Sequence, residues 1–186
     1  PMTPWHIREA IRQIAGGGVI AYPTDTVYGL GCDPLNAAAM LHLLALKQRG
    51  IEHGVILIAS RWRQLRSFLQ PLNRETGKRV KKHRRRPVTW LLPAHPDVPT
   101  WLCGRHDTLA VRVTDHPVVA ALCNAWDGPL VSTSANRHGR RPAASPLEVR
   151  RAFGDSLDYV LSGPAGTSRP SEIRNGLTGK VLRKYG

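Results

Sequence analysis

The chain is short of cysteine, of aromatic side chains, of acidic charge and of long apolar runs, and each shortage excludes something. Its three cysteines, Cys32, Cys103 and Cys123, lie far apart, with no CxxC pair. An odd count without a framework points to a reducing compartment, so a cytoplasmic location is expected. No Cys/His spacing or carboxylate cluster has the pattern of a metal-ligand set, so no built-in metal site is expected. Apolar stretches such as 55–59 and 109–111 fall far below the roughly 20 residues that cross a bilayer, and no membrane span is expected. The opening residues Pro1 to Trp5 lack the apolar core of a secretory leader.

Acidic residues number 13 against 27 Lys and Arg, a formal net charge of +14. Such an excess attracts polyanions at long range and through counterion release. Charge alone does not choose between a nucleotide, tRNA, ribosomal RNA and an acidic membrane surface.

What is present supports a folded core. Hydrophobic residues make up 41% of 186 positions, enough for one domain spanning 1–186. Ile7, Ile11 and Ile14 recur at helical spacing behind Thr3, a good N-cap. Three glycines at 16–18 stop that helix, and 19–22 reads as a buried strand. Residues 23–31 read as a polar, glycine-punctuated loop. Asn36 caps a helix to about Gln48. The segment 55–59 reads as a strand, followed by a helix capped by Ser60 with Leu65, Phe68 and Leu69. Residues 73–86 are strongly basic and show no core stripe. Further strands are expected at 88–92, 109–113, 130–134, 159–161 and 180–182, with helices opening at Pro117 and Pro146. Helices alternating with short strands predict an α/β fold.

Four segments place polar groups at the ends of apolar strands, where ligands of open α/β sheets sit. Thr24, Asp25, Thr26 and Tyr28 lie close together, beside Gly29 and Gly31. A plain turn explains them as well as a ligand loop does. Lys47 and Arg49 end a helix, where a cation complements the dipole or two cations clamp a triphosphate. Ser132, Thr133, Ser134 and Asn136 carry hydroxyls and an amide that suit phosphate or carboxylate oxygens, or form a plain Ser/Thr-rich turn with a left-handed Asn. Arg112 stands in an apolar strand, which is costly unless it faces a cleft or an anion; the alternative is an edge strand with Arg112 in solvent.

In this order, PTDTVYGLG (23–31), KQR (47–49), RPVT (86–89), LAVRV (109–113), STSAN (132–136) and PSEIRN…KVLRKYG (170–186) resemble the YrdC-type threonylcarbamoyl-AMP synthases, most closely their short bacterial form. The resemblance implies a single α/β domain, a twisted mixed sheet flanked by helices around a large basic concave cleft. It implies a nucleotidyltransferase that makes L-threonylcarbamoyladenylate and pyrophosphate from L-threonine, bicarbonate or CO2, and ATP, with Mg2+ accompanying the ATP. A separate transferase complex then modifies an adenosine beside the tRNA anticodon. The same resemblance assigns Lys47 and Arg49 to the triphosphate. Thr26, Tyr28, Thr89 and Arg112 go to threonine or its carbamate, and Ser132, Ser134, Asn136, Ser171 and Arg183 to the nucleotide.

Three positions depart from the family pattern. Gly50 stands where proline is usual, residues 83–87 replace a WPGP, and His138 stands where serine is common. The run Lys78, Arg79, Lys81, Lys82, His83, Arg84, Arg85 and Arg86 reads by default as a solvated face. It is the expected contact for tRNA, double-stranded RNA or the transferase partner. The rival reading of the whole chain is a non-catalytic RNA-binding factor for ribosome maturation. The hydrogenase-maturation proteins that contain this domain type are a third, disfavoured by the missing zinc-finger cysteines.

Overall fold

A computed structural model describes residues 2–82, 86–167 and 169–184. The first helix, α1 (Pro4–Ala15), begins with proline at N1 after Thr3, whose N–H donates to His6 Nδ1 at 3.0 Å. It buries Ile7, Ala10 and Ile14 along one stripe. β1 (Ile20–Pro23) follows and turns back into β2 (Tyr28–Gly31), an antiparallel pair. The expected loop over 23–31 is therefore a hairpin with its turn at 24–27. Two glycines hide this strand from propensity. Gly31 is needed because a side chain there would run into the Tyr22 ring and the Val131 carbonyl. Tyr22 is anchored by donating to Val131 O at 2.9 Å, so Gly31 makes room for a core tyrosine, not for a ligand.

Asn36 Oδ1 accepts from Ala39 N at 2.9 Å and starts α2 (Ala37–Lys47). After β3 (Ile56–Ala59), residues Trp62–Phe68 form a 3-10 segment, not the expected α-helix. Gln64 Oε1 accepts from the N–H groups of both Ser60 and Arg61, which tightens the first turn. α3 (Arg74–Lys81) does have a short core stripe, contrary to expectation: Thr76 and Val80, four residues apart, are buried. Then come β4 (Val88–Pro93), the four-residue α4 (Thr100–Cys103), β5 (Thr108–Val113), α5 (Pro117–Trp126) and β6 (Leu130–Ser134). The chain closes with α6 (Pro146–Phe153), β7 (Tyr159–Val160), β8 (Glu172–Asn175) and β9 (Val181–Arg183).

The described strands form one mixed sheet in the order β7-β1-β2-β6-β3-β5-β4-β8-β9. β7/β1, β3/β5 and β4/β8 run parallel, and the other neighbours antiparallel. Alternation along the strands divides the core in two. Ile20, Tyr22, Ile58 and Leu130 pack with α1 and α5 on one face. Ala21, Leu57, Ala59 and Val131 pack with α2 and α6 on the other. Opposed residues of neighbouring strands share a face. Ser132, Ile56 and Ala110 are opposed, as are Ile58 and Arg112, so all belong to the α1/α5 face. There, Ser132, Ile56, Ala110 and Arg112 line a cavity. No described helix is long and apolar enough to cross a membrane.

Candidate active site

The cavity has a volume of about 470 Å³, within the range of small-ligand pockets. Its lining includes Thr26, Tyr28, Arg49, Arg112, Ser132, Ser134, Ser171 and Arg183. Eight of the eleven residues assigned to substrate from sequence therefore meet in one hollow. The remaining three, Lys47, Thr89 and Asn136, stand directly behind its walls.

At one corner α2 ends in a left-handed Gln48 (φ 51°), which reverses the chain and sends Arg49 to the cavity. Lys47 turns inward and is almost wholly buried. Its ammonium donates to Ser134 O at 2.5 Å, Asn136 Oδ1 at 2.7 Å and Ser134 Oγ at 3.2 Å. Ser134 Oγ also donates to Asn136 Oδ1 at 2.6 Å. Asn136 Nδ2 donates to the carbonyls of Arg137 and Arg140. Every ammonium donor is engaged, so Lys47 ties the end of α2 to the turn after β6. Burial, with Arg49 adding repulsion, pushes the Lys47 ammonium down to about 8.

A second corner is wired differently. β5 is flanked by β3 and β4, so Arg112 sits in an interior strand and faces the cavity. Its Nη1 donates to Thr26 Oγ1 over a long 3.4 Å. Thr24 Oγ1 donates to Val27 O at 2.8 Å, so the 3.0 Å contact between Thr24 and Thr26 makes Thr26 the donor there. Asp25 Oδ1 lies 3.5 Å from Arg112 Nε, within ion-pair range. Neither of those two atoms has a hydrogen-bond partner among the described residues. Arg112 thus keeps donor capacity in a place where unmet donors are costly.

The third wall comes from β4, β8 and β9. Thr89 is fully buried; its hydroxyl meets Ser171 Oγ at 2.7 Å, and it reaches the cavity only through Ser171. Arg183 Nη2 donates to Ser171 O at 2.9 Å. Burial, reinforced by Arg112, lowers the Arg183 guanidinium from its usual value. Burial does the same to Arg49, against the pull of Glu52. Three arginines line the hollow and no carboxylate does so among the described residues. Such a site favours an anion that brings its own negative charge.

Tyr28 lines the cavity with its hydroxyl already engaged. Its hydroxyl donates to Gly163 O at 2.6 Å and accepts from Gly163 N at 3.0 Å, so it pins the loop that crosses the hairpin. No hydrogen remains on that oxygen for a substrate. Residues missed from sequence also line the cavity, notably Cys103 and His106 beside α4. A four-residue helix carries no periodic signal that would have revealed them.

The family model Sua5_yciO_yrdC, described as "Telomere recombination", matches residues 12–184. The chain belongs to this family. It is 58% identical over 180 residues to the threonylcarbamoyl-AMP synthase of Nitrosococcus oceani, covering 96% of this chain and 97% of that one. The crystal structure of P. abyssi Sua5 complexed with L-threonine matches at a TM-score of 0.92 and 27% identity, over 100% of this chain. This chain spans 56% of that Sua5 chain. E. coli YciO matches at a TM-score of 0.83 and 25% identity, over 100% of this chain and 91% of its own.

Two departures from the family pattern acquire a physical reading. Gly50 has φ −70° and ψ 151°, values open to the usual proline, with the Glu52 carboxylate lying over the space its ring would fill. His138 takes part through its backbone, donating N–H to Lys47 O at 3.1 Å with its side chain exposed, so serine would serve equally. The third departure and Arg84 and Arg85 lie outside the described residues, apart from Arg86 and Pro87. Within the basic run, Arg79 is already committed: it donates to Gly176 O at 2.8 Å and to Leu177 O, and pairs with Glu75 at 2.7 Å. It holds the turn between β8 and β9. Lys78, Lys81, Lys82 and Arg86 are exposed.

Proposed function

We propose that this chain is a threonylcarbamoyl-AMP synthase, joining L-threonine, bicarbonate or CO2, and ATP into L-threonylcarbamoyladenylate with release of pyrophosphate. The observation that carries this reading is a cavity lined by Arg49, Arg112 and Arg183 together with Thr26, Ser132 and Ser134, and by no carboxylate among the described residues. The name carried by relatives such as that of N. oceani supports it.

The chemistry needs positioning and charge more than a protein nucleophile. Threonine nitrogen attacks CO2 and loses a proton, giving a carbamate. A carbamate oxygen then attacks the α-phosphorus, and the bond to pyrophosphate breaks. Arg112 holds the threonine carboxylate, and Thr26, accepting from Nη1, orients the guanidinium. Arg49 offsets charge arriving on the leaving pyrophosphate. Lys47 and Asn136 act through the turn they brace, setting Ser134 against the nucleotide. Ser171 and Arg183, backed by Thr89, close the opposite side. Holding three small reactants together supplies much of the acceleration.

The described residues contain no cluster of three or more His, Cys, Asp or Glu that could hold a metal. Mg2+ would accompany the triphosphate and neutralise its oxygens. The product serves threonylcarbamoyl transfer to tRNA beside the anticodon, in the cytoplasm, through a separate transferase complex. Lys78, Lys81, Lys82 and Arg86 offer a surface for tRNA or that partner. Incubation with ATP, L-threonine and bicarbonate should release pyrophosphate only when threonine is present. Threonine-independent release, or none from folded protein, would overturn the reading.

A further inference from the structure

Asp25 has no place in the reaction as written, yet it faces the cation on which substrate recognition turns. It sits in the β1–β2 turn, held by backbone bonds: Asp25 O accepts from Thr167 N, and Thr24 O from Gly166 N at 2.8 Å. Its Oδ1 stands 3.5 Å from Arg112 Nε, close enough to neutralise the guanidinium and too far to occupy its hydrogen. Asp25 also borders a second cavity, of about 520 Å³, whose rim carries Lys81 and Lys82. Asp25 thus lines the second hollow, while Arg112 lines the first.

A buried arginine that awaits an anion needs a counter-charge when the site is empty. A hydrogen-bonded carboxylate would supply one but would block the donors. Asp25 supplies the charge without a hydrogen bond, so its departure exposes Nε to a planar, two-pronged carboxylate at little cost.

We propose that Asp25 is a stand-in anion: it balances Arg112 in the empty enzyme and gives way when the carboxylate of the amino acid arrives. The inference rests on the reading of Arg112 as the carboxylate-binding residue. Asp25 is a positioning residue, and it sets affinity by competing with the substrate for one charge. When displaced, its carboxylate has the second cavity and its lysines behind it. The cost is weaker threonine binding, because two carboxylates then share a neighbourhood.

The test is calorimetric titration of L-threonine and L-threoninamide into wild type, Asp25→Asn and Arg112→Ala, with thermal denaturation of each. Asp25→Asn should lower the Tm of the empty protein, tighten L-threonine by about fivefold or more, and show a larger threonine-induced Tm rise than wild type. L-Threoninamide, which lacks the carboxylate, should gain nothing. Asp25→Ser replaces Asp25→Asn if the latter folds poorly. Equal or weaker threonine binding in these variants, with binding lost in Arg112→Ala, overturns the stand-in alone. Full threonine binding in Arg112→Ala overturns the reading of Arg112 and the stand-in with it.

Discussion

The Lys47 corner and the Arg112 corner each bury one cation, and they are wired in opposite ways. Lys47 spends its whole ammonium on Ser134 and Asn136. Arg112 has one long bond to Thr26 and a carboxylate that approaches without bonding. A saturated buried charge is a brace; it fixes the loop around it and its loss is felt as instability. An unsaturated one is a receptor, and its loss is felt when ligand is added. Burial and charge alone would rank the two residues together.

The contrast is most easily broken by substituting its receptor side. Arg112→Ala should cut kcat/KM for threonine by about a hundredfold or more, while KM for ATP moves little, as steady-state kinetics would show. An equal loss toward both substrates would make Arg112 a general organiser and erase the distinction. Lys47→Ala comes next. It strips a donor from the half-buried Ser134 carbonyl and one of two donors from Asn136 Oδ1, so urea denaturation should show a loss of about 1–3 kcal/mol. Its kinetic defect should fall on ATP. Unchanged stability would show that Lys47 braces nothing.

The lowered Lys47 value gives a pH signature. In the free enzyme the ammonium is protonated below about 8 and loses its charge above it. With threonine saturating, kcat/KM for ATP should therefore decline as pH rises through about 8, and Lys47→Arg should move the decline upward. A profile flat to well above that point would contradict the burial argument. The smallest effect belongs to the loop between the corners. Gly50→Pro fits the observed φ and should stabilise by about 0.4–1 kcal/mol by restricting the unfolded chain, once Glu52 swings aside. A loss of stability would mean that the Glu52 contact is rigid.

These two corners also mark what sequence reveals. Strands such as 55–59 and 109–113, and the caps at Thr3 and Asn36, are local signals, and the structure has them. Arg112 was legible because a charge in an apolar strand demands a partner. The wiring was not: the Lys47–Asn136 bond joins positions 89 residues apart, and nothing local distinguishes a brace from a receptor. The engagement of the Tyr28 hydroxyl was equally hidden, because its partner, Gly163, lies 135 residues away. β8 escaped notice because four mostly polar residues carry no alternation, and its existence depends on pairing with β4.

The most direct measurement of the central claim is mass spectrometry of the product formed from ATP, L-threonine and carbon-13-labelled bicarbonate. The account predicts an adenylate that carries one labelled carbon and the threonine skeleton, abundant in wild type and nearly absent in Arg112→Ala. AMP or ADP accumulating without a threonine-containing, labelled adenylate would contradict it.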